Sequence, residues 1–192
     1  MNKVRYNIKE LATLTSLISD DAAFIQQINQ AAEKITNAYK KGGKTIFCGN
    51  GGSAAEAQHL AAELSGRFKL DRKPLAAEAC HVNSSFVTAI SNDYDFKQVY
   101  SRYIEAFGNK GDVLVGLSTS GTSENIVTAF KTAQKRGLVT IALTGSAGGL
   151  LPNHSDLCLK IPSDEVPRIQ EIHLLIGHII CEKVEHSLFG DE

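Results

Sequence analysis

Two apolar runs, "TIFCG" at 45–49 and "DVLVGL" at 112–117, each break into a turn rich in glycine and hydroxyl groups that leads straight into a helical pattern. A strand followed by a helix and then another strand cannot form a hairpin. It returns over the sheet and pairs in parallel. The rest of the chain keeps this alternation. Leu11, Leu14, Leu17 and Ile18 recur at helical spacing, and Asp20 or Asp21 caps a second helix to about Lys41, where "KKGGK" stops it. Ser53 opens a helix to about Ser65. A weaker strand, "LAAEAC" (75–80), follows, with helical segments around "SFVTAI" and "FKQVYSRYIEAF". The helix "SENIVTAFKTAQKRG", the strands "LVTIALTG" and "LCLKIP", and a final helix from Pro167 to about Leu188 complete the pattern. The expectation is an α/β fold with a parallel five-stranded sheet covered on both faces, preceded by extra N-terminal helices.

A chain of 192 residues, 43% hydrophobic and 21% charged, suits one globular domain, 1–192, with 1–41 as its N-terminal helices. A net charge of −1 gives no electrostatic footprint for nucleic acid. The apolar run "LLIGHII" is too short for a bilayer, and "MNKVRYNIKELATL" lacks the apolar block of a signal peptide, so no membrane partner is expected. Cys48, Cys80, Cys158 and Cys181 form no CxxC; they read as reduced thiols of a cytoplasmic protein, with a disulfide as the minor alternative.

The first turn, "GNGGSA", fits the loose dinucleotide pattern G-x-G-x-x-A. The acidic residue that should hold a ribose is missing at the required place, since Glu78 lies too far along. What remains is either a plain tight turn or an anion cradle, in which the backbone comes close to a ligand and a helix N-terminus faces it. Ser53 can cap that helix or bind the ligand. The second turn, "STSGTSEN" (118–125), carries Ser118, Thr119, Ser120, Thr122 and Ser123 around Gly121, more hydroxyls than capping needs. Both turns follow the carboxyl ends of strands, where open α/β sheets bind ligands. A phosphorylated or polyhydroxy small molecule between them is the first inference.

His59 and Glu63, four residues apart, share a helix face, as a surface pair or as reactive groups. "RIQEIHLLIGHII" sets Gln170, His173 and His178 among Ile and Leu, where a histidine is usually a satisfied core residue. An imidazole, a carboxylate and a second imidazole would suit zinc, with Gln170 a less common carbonyl ligand. Gln170 and His178 stand about 12 Å apart along an ideal helix. One metal takes both only if the helix is distorted or if they come from different subunits.

"CGNGGSAAEAQHLAAELSGRF", "AISNDYDF", "GLSTSGTSENI" and "RIQEIHLLIGHII", in this order and over nearly the whole chain, resemble the phosphoheptose isomerase family within the SIS (sugar isomerase) class. The resemblance implies a flavodoxin-like three-layer α/β sandwich, a homotetramer and active sites at subunit interfaces. It carries substrate binding to Asn50, Gly51, Gly52, Ser53, Asn92, Asp93, Ser118, Thr119, Ser120, Ser123 and Gln170, and to Glu63. It carries one Zn2+ per subunit to His59, Glu63, Gln170 and His178, and acid/base catalysis to Glu63 and His178. For Asp93 an Asx-turn is the alternative, and Arg67 matches a further family position. "CHVNSS" (80–85) and Pro167 depart from the family pattern.

The implied activity is an aldose–ketose isomerisation of sedoheptulose 7-phosphate to D-glycero-D-manno-heptose 7-phosphate, supplying bacterial lipopolysaccharide or capsule. A competing reading is a non-catalytic SIS tetramer that holds a protein partner, of the replication-initiator-associating type. That relative lacks equivalents of Glu63 and His178, and both are present here. A phosphosugar-sensing domain is a third possibility, usually joined to a DNA-binding module that this sequence does not display.

Overall fold

A computed structural model describes residues 2–190. The chain begins with two helices, α1 (Lys3–Asp20) and α2 (Ala22–Lys40). Asp21 separates them: its carboxylate accepts the Phe24 N–H at 3.0 Å, so Asp21 and not Asp20 is the cap. The alternating part follows as β1 (Thr45–Gly49), α3 (Gly52–Ser65), β2 (Ala77–Ala79), α4 (Ser84–Asp93) and α5 (Val99–Phe107). It continues as β3 (Val113–Ser118), α6 (Glu124–Arg136), β4 (Val139–Thr144), β5 (Leu157–Lys160) and α7 (Val166–Phe189).

All five strands are parallel, in the order β2-β1-β3-β4-β5. The expected 75–80 strand is shorter than its apolar run, because the chain turns after Cys80, whose N–H still bonds the Phe47 carbonyl. Alternate residues of each strand feed two cores. Phe47, Val115, Leu117, Ile141 and Leu143 face α1, α2, α3 and α7. Ile46, Cys48, Leu114 and Ala142 face α5 and α6. This is the three-layer sandwich expected, and its four cysteines are free thiols. Among the described residues no helix is long and apolar enough to cross a membrane.

The strand order places the switch point between β1 and β3, because the chain winds outward in opposite directions from these two strands. Gly49 at the end of β1 is in register with Leu117 near the end of β3. The two glycine- and hydroxyl-rich turns therefore leave the sheet side by side, which the sequence could suggest but not decide.

Candidate active site

The two turns and the start of α7 enclose a crevice of about 340 Å³. Asn50, Gly52 and Ser53 line it from the first turn, Ser118, Thr119, Ser120 and Ser123 from the second, and Gln170 from α7. Gly51, the N-cap of α3, takes φ +55 and offers no side chain, so the helix opens at Gly52 and not at Ser53. Of the two roles considered for Ser53, the capping one does not occur. As the second residue of α3, Ser53 is buried and turns its hydroxyl toward Gln170, whose amide donates to it at 3.4 Å.

Asn50 is held tightly. Its side-chain amide donates to the Asn125 oxygen at 2.9 Å, and the Asn125 amide donates back at 2.8 Å. The Tyr100 hydroxyl bonds the Gly49 carbonyl at 2.5 Å and reaches the Asn50 oxygen at 3.3 Å. Neither Asn125 nor Tyr100 stood out in the sequence. Asn125 stands in the first turn of α6, and only the β1–β3 adjacency makes it a strap between the turns.

The hydroxyls of the second turn divide their work. Ser118 Oγ accepts the Gly121 N–H at 3.1 Å, and Ser120 Oγ accepts from both the backbone and the hydroxyl of Thr122. Gly121 has φ +65 and lies against the Gly148 carbonyl, where a Cβ would not fit. Ser123, the N-cap of α6, makes no side-chain capping bond, and among the described residues neither its hydroxyl nor that of Thr119, both lining the crevice, has a side-chain hydrogen bond. A crevice with backbone N–H groups, free hydroxyls and two helix N-termini suits a phosphate.

A second group of side chains lies further along α3 and α7. His59 Nε2 and His178 Nε2 are 2.8 Å apart, and His59 Nε2 lies 3.2 Å from a Glu63 oxygen. The two imidazoles meet edge to face, with centroids 5.0 Å apart. The helices come this close because Gly177 sits against Leu60: a Cβ at 177 would be 2.5 Å from the Leu60 Cδ1. One donor atom from each of His59, Glu63 and His178 lies within 4.8 Å of the others. Two imidazole nitrogens and a carboxylate oxygen, partly open to solvent, fit zinc in a site that keeps an open position.

Two expectations about α7 are settled by its geometry. The helix is continuous from Val166 to Phe189, so Gln170 and His178 do not meet on one metal within a chain. Gln170 belongs to the crevice, while His178 joins His59 and Glu63 of the same chain. Pro167 sits in the first turn of α7, where its missing N–H costs nothing.

Between the two groups lie Glu56 and His173, 3.9 Å apart. His173 is fully buried, and its Nε2 donates to the Thr144 carbonyl at 3.3 Å. This is the core-histidine reading. Among the described residues, its Nδ1 and one Glu56 oxygen have no hydrogen-bond partner. Burial raises the Glu56 carboxyl to about 7 and lowers the His173 imidazole to about 4, the latter against a small opposing effect of the Thr144 bond.

Asn92 and Asp93 lie outside the crevice, exposed at the end of α4, where the Asn92 amide donates to Asp93 at 2.8 Å. The Asx-turn considered for Asp93 occurs instead at Asp95, which accepts the Lys97 N–H. Arg67 is exposed. In "CHVNSS", Cys80 is buried and Asn83 caps α4.

The SIS domain family matches residues 8–145. A phosphoheptose isomerase of Clostridium acetobutylicum is 48% identical over 191 residues, spanning 100% of this chain and 97% of that protein. One from Sulfurimonas denitrificans is 44% identical over 98% of this chain and 96% of its own. The chain belongs to the phosphoheptose isomerase family of SIS-domain proteins. It is thereby an enzyme of the sugar phosphate isomerase class. The solved phosphoheptose isomerase of Francisella tularensis superposes on this family member with a TM-score of 0.92 at 35% identity, covering 96% of this chain and 97% of that one. That of Neisseria gonorrhoeae gives 0.89 at 39%, covering 95% and 97%.

Proposed function

We propose that the chain interconverts sedoheptulose 7-phosphate and D-glycero-D-manno-heptose 7-phosphate. The observation that carries this reading is the pairing of an anion crevice with a His59–Glu63–His178 cluster on the same two helices, α3 and α7. A sugar phosphate has a charged handle and a carbonyl at opposite ends, and this pair of sites matches that polarity. The phosphate binds among Gly51, Gly52, Ser53, Ser118, Thr119, Ser120 and Ser123, and its binding energy positions C1 and C2.

The reaction moves a proton between two carbons. Glu63 removes a proton from C1 of the ketose; the electron pair forms the C1–C2 double bond, and the C2 oxygen takes a proton to give the enediol. Return of a proton to C2, with loss of the O1 proton, gives the aldose. His178 moves the proton at oxygen. Zinc, held by His59, Glu63 and His178, would supply a Lewis acid for the carbonyl. Gln170, also expected as a ligand, reaches such a site only from a second copy.

We read the whole of 1–192 as one SIS unit that works as a homotetramer in the cytoplasm, with the heptose feeding lipopolysaccharide or capsule. Exposed apolar residues such as Val4, Ile8, Leu17 and Phe107 support association, and the four free thiols support a reducing compartment. In a tetramer, Asn92 and Asp93 reach substrate from a neighbouring copy.

Sedoheptulose 7-phosphate turnover, followed with and without a chelator, tests the reading. Conversion supports it. No conversion in either condition would return the chain to the protein-binding adaptor reading.

A further inference from the structure

His178 and Glu185 are seven residues apart on α7 and so lie on one face of that helix. The segment after α3 packs along this face. Glu185 is 1% exposed, and its carboxylate accepts the backbone N–H groups of Phe68, Lys69 and Leu70 at 3.1, 2.8 and 3.0 Å. The Arg72 Nε completes the set at 2.8 Å. The remaining guanidinium N–H groups donate to the carbonyls of Glu63, Leu64 and Gly66, which end α3, and to that of Lys73. Both charged side chains are buried, at 2% exposure each. A buried ion pair is costly unless every polar atom is answered, and here the backbone answers them.

The consequence is felt at Phe68. With its own N–H fixed on Glu185, its ring stacks on the His178 imidazole, with centroids 5.6 Å apart and planes 20° apart. His59 meets the same imidazole edge-on from the other helix. The His178 ring is therefore held on its face by Phe68 and at its edge by His59. Arg72 meanwhile ties the carbonyl of Glu63 itself. One buried pair thus restrains both helices that carry the cluster.

We propose that Phe68, set in place by the Arg72–Glu185 pair, is a positioning residue that fixes the His178 imidazole toward His59 and Glu63. The proposal rests on the reading of this cluster as the metal and acid/base site. It adds three residues, Phe68, Arg72 and Glu185, that act through His178 and Glu63. Without the Phe68 ring the imidazole turns more freely about its side-chain torsions and meets more water. A cluster preorganised for a metal then loses part of its affinity.

Phe68→Ala, Phe68→Tyr and Glu185→Gln test it, with cobalt(II) as the metal probe and sugar phosphate turnover as the second readout. Phe68→Ala leaves the clamp intact and is expected to keep native circular dichroism. It should weaken cobalt(II) binding about tenfold and lower kcat about tenfold, with KM for the sugar phosphate within about twofold of native. A merely structural residue would not split kcat from KM in this way. Phe68→Tyr keeps the stacked ring and should restore both values. Glu185→Gln should move in the same direction as Phe68→Ala; if it fails to fold, the Phe68 pair decides. A folded Phe68→Ala protein with cobalt affinity and kcat both within about twofold of native overturns the proposal. If the native chain binds cobalt(II) but leaves sedoheptulose 7-phosphate unchanged, the isomerase reading falls alone, and the cobalt ratio still decides the role of Phe68.

Discussion

The side-chain amides of Asn50 and Asn125 bond each other reciprocally, at 2.9 and 2.8 Å, and so strap the turn after β1 to the turn after β3. Asn125 is buried and also accepts the Ile126 N–H at 3.0 Å. Asn125→Ala leaves the Asn50 amide half-partnered at the rim of the crevice. Thermal unfolding should show a loss of about 1–3 kcal/mol. Steady-state kinetics should show a raised KM for the sugar phosphate with a smaller change in kcat.

The Glu63 side chain is partly open to solvent, 20% exposed beside the more exposed His59. Glu63→Gln keeps the shape and removes the carboxylate proposed as the base. Turnover should fall about 100-fold or more, the range in which general bases contribute. Substrate binding, measured by calorimetry, should remain detectable because the crevice is untouched. A variant with near-native turnover would remove Glu63 from the base role.

Gly177 sets the spacing of α3 and α7, since a Cβ there would be 2.5 Å from the Leu60 Cδ1. Gly177→Ala should destabilise the fold by about 1–3 kcal/mol through overpacking. It should also separate His59 from His178. Urea unfolding and kcat, measured together, check both effects.

Chelation should lower turnover, and added zinc should restore it. His59→Ala should purify with less zinc than the native protein when the metal is measured by mass spectrometry, since one of the proposed imidazole ligands is gone. Full activity after complete metal removal would make the metal incidental to the chemistry.

Glu56 and His173 give stability an unusual pH dependence. Burial raises the Glu56 carboxyl to about 7, so its contribution is present below the ordinary carboxylate range and is lost as pH rises through 7. Burial lowers the His173 imidazole to about 4, so its contribution is present above 6.5 and is lost as pH falls through 4. Between these limits the two trends oppose each other. Glu56→Gln removes the first and should leave a protein whose stability climbs by up to about 3 kcal/mol from pH 4 to 6.5. Denaturation at a series of pH values shows the slope; a profile unchanged from the native protein would mean that the Glu56 carboxyl contributes nothing to the pH dependence.

The alternation of strands and helices, the two turns and the His59–Glu63 spacing were legible because periodicity and turn chemistry are local. The anion crevice was legible for the same reason: strand ends and helix starts carry it. Of the two roles open to Ser53, capping does not occur, because Gly51, without a side chain, makes that turn. Asn125, Tyr100, Phe68, Arg72 and Glu185 stayed hidden, since each acts across tens of residues and looks ordinary in its own segment.

The sequence by itself determined which elements form and which face of each is apolar, because backbone geometry and burial follow from neighbouring residues. Only the tertiary structure decided that Gln170 goes to the crevice while His178 goes to Glu63. One straight helix carries both, and a side chain's partner is set by what packs beside its own turn of that helix.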